Sequence, residues 1–176
     1  MDMRSATILF STPRQIQWWP LSFLVRFIQY RKRLIPFRFF GLYHSSHVSI
    51  CLGEMVYESV FFLGVRKIPL MKWLEVNTVR KSRTIFLKEG DYRLGELYLD
   101  SSCGISYAFL ELFGIFLAKF LKTFFKKELY GNPFKTVKPK MKCSELIYNY
   151  LKVVDRISGL KDPNLVDVPD IENILI

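Results

Sequence analysis

Three residues of this chain have the types and spacing for acyl-transfer chemistry: Cys143, His47 and Glu58. Cys143 opens the run Cys143-Ser144-Glu145-Leu146-Ile147-Tyr148-Asn149-Tyr150-Leu151. Its apolar residues Leu146, Ile147, Tyr150, Leu151 and Val154 recur as one stripe of a core-facing helix. The pattern predicts a helix from Cys143 to about Ile157, stopped by Ser158-Gly159, with the thiol in its first turn. The free N–H groups and the positive dipole end of a helix favour a thiolate, the nucleophilic form of cysteine. Cys143 is therefore the candidate nucleophile, against the plainer alternative of a small buried residue at a helix start.

Residues 47–60 alternate as a β-hairpin, with strands His47–Leu52 and Met55–Val60 about a Gly53-Glu54 turn. If the turn has two residues, Leu52 faces Met55 and Ser49 faces Glu58. Glu58 then shares a sheet face with His47, diagonal to it. A slip of one residue would send the carboxylate to the opposite face. The set is a Cys-His-acid triad in permuted chain order: the thiolate attacks, the imidazole moves the proton and the acid orients the imidazole. The N–H of Cys143 is the expected oxyanion donor, although backbone donors leave no mark in a sequence. The rivals are Cys103, which precedes a helix but lacks an accompanying carboxylate pattern, and His44, in an expected loop.

These groups need a core to hold them. At 176 residues the chain suits one domain, 1–176, and its 50% hydrophobic content excludes a disordered chain. Ala6–Ser11 reads as a buried strand closed by Pro13, and further strands are expected at Val65–Pro69 and Thr84–Lys88. A short helix or loop is expected over Met71–Val76 between them, and Arg80, Lys81 and Arg83 fall in an expected solvent-facing loop. The fold class is α+β, an antiparallel sheet packed against helices.

Three cysteines without Cys-x-x-Cys spacing argue against a disulfide scaffold and for a reducing compartment. With only two histidines, no metal site and no cofactor is expected. No export signal follows Met1-Asp2-Met3-Arg4, which points to a cytoplasmic or peripheral-membrane location.

Two apolar segments stand apart. Residues 20–34 form an expected amphipathic helix with Trp18-Trp19 before it and Arg31-Lys32-Arg33 at its end, as an interfacial helix would carry. Residues 108–125 form a second, whose Glu111, Lys119 and Lys122 interrupt a membrane span and, with Lys126, make one narrow polar stripe. Such a stripe suits burial against the sheet or contact with lipid. The net charge of +10 favours anionic partners. Phe134 alone accompanies the lysines of 135–142, so a nucleic-acid partner is not expected.

Four pieces in order carry a resemblance: Ser46-His47-Val48-Ser49-Ile50, Val56-Tyr57-Glu58-Ser59, Gly104-Ile105-Ser106-Tyr107 before an apolar helix, and Cys143-Ser144-Glu145-Leu146-Ile147. The chain resembles the circularly permuted branch of the NlpC-type papain-like cysteine hydrolases, which is related to the lecithin:retinol acyltransferase-like proteins. The resemblance implies a permuted papain-like fold with Cys143 as nucleophile, His47 as base and Glu58 as orienting acid. It departs at Ala108, where the family often has Asp, and at Ser49, where it usually has Gly. It implies a thiol hydrolase, a cysteine peptidase acting on an amide of a cell-wall (peptidoglycan) type peptide. The alternatives are a membrane-associated lipid acyl hydrolase or acyltransferase, and a non-catalytic membrane-binding module.

The apolar segments and the net charge predict binding to anionic bilayers. Each basic residue near such a surface contributes roughly 1 kcal/mol, and buried apolar area roughly 25 cal/mol per Å2. In cosedimentation the protein should pellet with anionic liposomes at low salt and less so at high salt; binding to neither anionic nor neutral vesicles would leave these segments as ordinary core.

Overall fold

The structure is a computed structural model that describes residues 3–14, 45–108, 121, 140–157, 163 and 166–175. The two expected apolar helices, Trp18-Trp19 and His44 lie outside that set, save Ala108 and Leu121.

The sheet grows from one long strand, β1 (Met3–Pro13), whose alternate residues Ala6, Ile8 and Phe10 are fully buried on one face. On one side it pairs with β2 (His47–Leu52), and β2 pairs with β3 (Met55–Val60) in the expected register, Leu52 opposite Met55 and Ile50 opposite Tyr57. β4 (Gly64–Pro69) extends the sheet beyond β3, with Arg66 directly opposite Glu58. On its other side β1 pairs with β5 (Asn77–Lys88), so the order is β4-β3-β2-β1-β5, antiparallel throughout.

Arg80, Lys81 and Arg83 therefore belong to a strand rather than a loop: β5 starts at Asn77, well before the expected Thr84. The eleven-residue β1 supplies partners along this length, with Lys81 opposite Phe10 and Arg83 opposite Ile8, while Arg80 falls at the register shift between Phe10 and Ser11. Because β5 is an edge strand, its cations remain at the solvent side, where charge discourages pairing with another chain.

Four helices cover the sheet among the described residues, which gives an α+β fold. α1 (Leu70–Val76) lies on one face, where its fully buried Trp73 packs with Leu9, Cys51 and Val56. The opposite face meets α2 (Glu89–Ser102), α3 (Cys143–Val153) and α4 (Val168–Ile174), which contribute Leu99, Leu146, Ile147, Leu151 and Ile171 to the larger core. α3 ends at Val153 rather than near Ile157, because Asp155 turns into the left-handed region at φ 51°. α2 occupies residues for which no element is expected from the sequence. Its buried face is Tyr92, Gly95, Leu99 and Ser102, while Leu94 and Leu97 point to solvent.

A small parallel pair connects the two halves: β6 (Ser106–Tyr107) and β7 (Lys140–Met141), with Tyr107 beside Met141. It is tied to β4 by Val65 N–H to Ile105 O at 2.8 Å and Gly104 N–H to Val65 O at 2.8 Å. Gly64 makes that seam possible, since at φ 71° any Cβ there would collide with the Ile105 carbonyl.

Gly95 sets the approach of α2 to α3. A Cβ there would lie 2.5 Å from Tyr150 Cε2 and 2.8 Å from Val154 Cγ1. On an open helix surface Gly→Ala stabilises by roughly 0.5–1 kcal/mol. Here Gly95→Ala should instead destabilise by about 1–3 kcal/mol through overpacking. Chemical denaturation should read this as a lower midpoint with an unchanged slope.

Candidate active site

Cys143 is the first residue of α3, behind the N-cap Lys142, whose φ of −84° and ψ of 162° are still extended. The two residues after it fix the helix start. Ser144 Oγ donates to Val166 O at 2.8 Å, anchoring the first turn to the segment that leads into α4. Glu145 reaches back to accept from the backbone N–H of Lys142 at 3.4 Å, closing the first turn from one side. The Cys143-Ser144-Glu145 sequence is thus a thiol, an anchor and a cap. Lys142 and Cys143 are both buried, so the thiol faces the protein interior at the end of the sheet.

The partner of that thiol is His47, the first residue of β2. His47 Nε2 lies 2.8 Å from Glu58 Oε2, which leaves Nδ1 as the ring nitrogen for the hydrogen bond with Cys143. Cys143, His47 and Glu58 are therefore brought together as the spacing predicted, with the carboxylate on the same sheet face as the imidazole.

The electrostatics favour an ion pair between thiolate and imidazolium. Burial opposes charge on the His47 ring, yet its hydrogen bonds with Cys143 and Glu58, and their negative charges, push its pKa up to about 10. Burial likewise works against the Cys143 thiolate. The hydrogen bond and charge of His47, with the backbone N–H groups of Val48 and Ser144, more than offset this and lower its pKa. Glu58, only 1% exposed, would be raised by burial, but His47 and Arg66 hold it down at about 2. His47 and Glu58 are thus charged near neutrality, and the Cys143 thiol is shifted towards thiolate.

Several neighbours were not anticipated from sequence. Glu58 also accepts from Arg66 on β4 and from Trp73 on α1. The Arg66 contact follows from counting the β3–β4 hairpin about Phe62, as the β2–β3 count gave Glu58. The Trp73 contact comes from tertiary packing and has no local signal. Tyr107 lies within electrostatic reach of Cys143, because β6 pairs with β7 just ahead of the thiol. Burial and the Cys143 charge push Tyr107 well above its ordinary value, so its hydroxyl stays protonated.

The rival Cys103 is exposed beyond the end of α2, donates weakly to Leu99 O at 3.5 Å, and has its pKa raised by burial. Cys51 is buried, donates to Gly53 O and is likewise raised. Ala108 and Ser49 are both buried: Ala108 follows β6, and the Ser49 hydroxyl has no hydrogen-bond partner among the described residues. Among the described residues no cluster of three or more His, Cys, Asp or Glu could hold a metal ion, and no helix is long and apolar enough to cross a membrane.

Iodoacetamide near neutral pH should alkylate Cys143 ahead of Cys51 and Cys103, because the pKa of the first is lowered and those of the others are raised. Peptide mapping after brief exposure checks the order, and first labelling at Cys103 or Cys51 would contradict it. Comparison of the chain with protein-family models, with curated proteins and with solved structures finds no match, so the chemistry of this site rests on its geometry alone.

Proposed function

We propose that the protein is a thiol hydrolase of permuted papain-like fold that cleaves an amide through a Cys143 acyl-enzyme, with a cell-wall-type peptide as substrate class. The observation that carries this reading is the continuous hydrogen-bonded line from the Cys143 thiol through His47 to Glu58, at the N-terminus of a buried helix.

In this reading the Cys143 thiolate attacks the carbonyl carbon, and its negative charge passes to the carbonyl oxygen as the S–C bond forms. The backbone N–H of Cys143 receives that charge. On collapse the C–N bond breaks, His47 Nδ1–H protonates the departing amine, and a thioester remains on Cys143. Neutral His47 then takes a proton from water, whose oxygen attacks the thioester carbon. The acid leaves, and the proton stays on the imidazole to restore the ion pair. Glu58 keeps its charge throughout, stabilising the imidazolium and orienting the ring.

A second reading, lipid acyl hydrolysis or acyl transfer at a membrane, is favoured by the tip of the β3–β4 hairpin. Phe62 is 79% and Leu63 62% exposed there, and Phe61 packs edge-on against Tyr107 with ring centroids 5.9 Å apart. Exposed apolar residues at the hairpin tip thus adjoin Tyr107, which lies within electrostatic reach of Cys143.

Incubation with cell-wall-type peptide amides and, separately, with fatty-acyl esters, followed by mass spectrometry of the quenched protein, distinguishes the two. An acyl adduct on Cys143 from the peptides supports the first reading and one from the esters supports the second. Cys143→Ala should abolish the adduct and reduce turnover at least about a thousandfold, with a smaller loss for Glu58→Gln. Turnover retained in Cys143→Ala would overturn both.

A further inference from the structure

The Glu58 carboxylate accepts more hydrogen bonds than orienting one imidazole requires. Oε1 accepts from Arg66 Nε at 2.8 Å and Arg66 Nη2 at 2.6 Å. Oε2 accepts from His47 Nε2 at 2.8 Å and from Trp73 Nε1 at 2.7 Å. Two carboxylate oxygens offer about four lone-pair sites, and these four donors fill them. They arrive from three different elements: His47 from β2, Arg66 from the directly opposed position on β4, and Trp73 from α1 across the sheet face.

We propose that Trp73 and Arg66 are positioning residues of the site, Arg66 occupying one oxygen of Glu58 while Trp73 shares the other with His47, so that the carboxylate is locked onto the imidazole. The inference rests on the assignment of Cys143, His47 and Glu58 to catalysis and adds the machinery that holds their acid in place.

The division of labour follows from chemistry. Glu58 has free torsions along its side chain, and a carboxylate held by the imidazole alone could swing to any competing donor. The Arg66 guanidinium binds in a planar fork that sets the carboxylate plane. As a neutral donor on the shared oxygen, the Trp73 indole fixes its direction without adding a second cation beside the imidazolium. Trp73 is itself fully buried, so its N–H needs an acceptor, and Glu58 is the acceptor it finds. α1, only seven residues long, delivers that indole to the site.

The chain has two histidines, so side-chain 15N spectra of histidine-labelled protein resolve His47 against a single neighbour, His44. Protonation of Glu58 appears as a step in the His47 signals at low pH, and Glu58→Gln, which removes the step, identifies it. Both donors favour the ionised carboxylate, so losing either raises its pKa. In Trp73→Phe and in Arg66→Gln the step should move up by about one pH unit or more. Arg66→Lys, which keeps the charge without the fork, should recover part of that shift. Thioester formation should slow about tenfold in Trp73→Phe, and not further when Trp73→Phe is added to Glu58→Gln, because a positioning residue has nothing to position once the acid is gone.

A step that stays at the wild-type pH in both Trp73→Phe and Arg66→Gln overturns the inference, as does an equal additional loss in the Glu58→Gln background. Should Trp73→Phe fail to fold, Arg66→Gln and Arg66→Lys decide the matter, since Arg66 is a third exposed on an edge strand. Shifted steps in a protein that never forms a thioester would overturn the hydrolase reading and leave the holding of Glu58 intact. Thioester formation with unmoved steps would do the reverse.

Discussion

A full negative charge buried at Glu58 constrains everything around it. An isolated carboxylate so removed from water would take up a proton instead of remaining ionised. Here His47 and Arg66 supply opposite charge at hydrogen-bond distance, and Trp73 supplies a further donor. The same bonds that make the charge tolerable fix where the imidazole can sit, and the imidazole in turn makes a thiolate tolerable at Cys143. Removing one partner of such a buried set leaves the others uncompensated, so the array is coupled rather than a sum of independent pairs.

This constraint explains the division of the sheet into two unequal faces. The large core on the α2–α3–α4 side presses α3 against β2 and brings the start of the helix to the start of the strand. The small cluster on the other side, Leu9, Cys51, Val56 and Trp73, contributes less apolar burial but shelters the acid. The seam of β4, β6 and β7 joins the hairpin carrying Glu58 to the two residues before the N-cap of α3. Ser59 Oγ donating to Met141 O at 2.5 Å adds a cross-link next to the acid itself.

Where one local rule sufficed, the structure was legible in the sequence. Strict alternation with Gly53-Glu54 between the runs yields the β2–β3 register, and hence Glu58 beside His47. The stripe from Leu146 to Val154 yields α3 and its N-terminal thiol. Legibility failed where the local signal was inverted or absent. α2 buries Gly95 and Ser102 while exposing Leu94 and Leu97, so its sequence shows no apolar face to read. β5 resembles a loop because a polar edge strand needs one backbone partner and little apolar surface. Trp73 is visible as a large apolar residue, but nothing nearby in sequence indicates that its N–H ends on a carboxylate from another element.

Cys143 and its partner His47 come from distant parts of the chain, and this separation has a consequence for synthesis. The strand bearing His47 and the hairpin bearing Glu58 leave the ribosome long before Cys143 does. A cysteine in an unstructured nascent segment has an ordinary thiol pKa near 8.5 and is mostly protonated in a neutral cell. The lowering of its pKa requires α3 to dock against a sheet built from much earlier residues, so ionisation is thermodynamically linked to completion of the fold. The lowered pKa is therefore acquired last, and a chain that stalls or unravels returns its sulfur to an ordinary thiol.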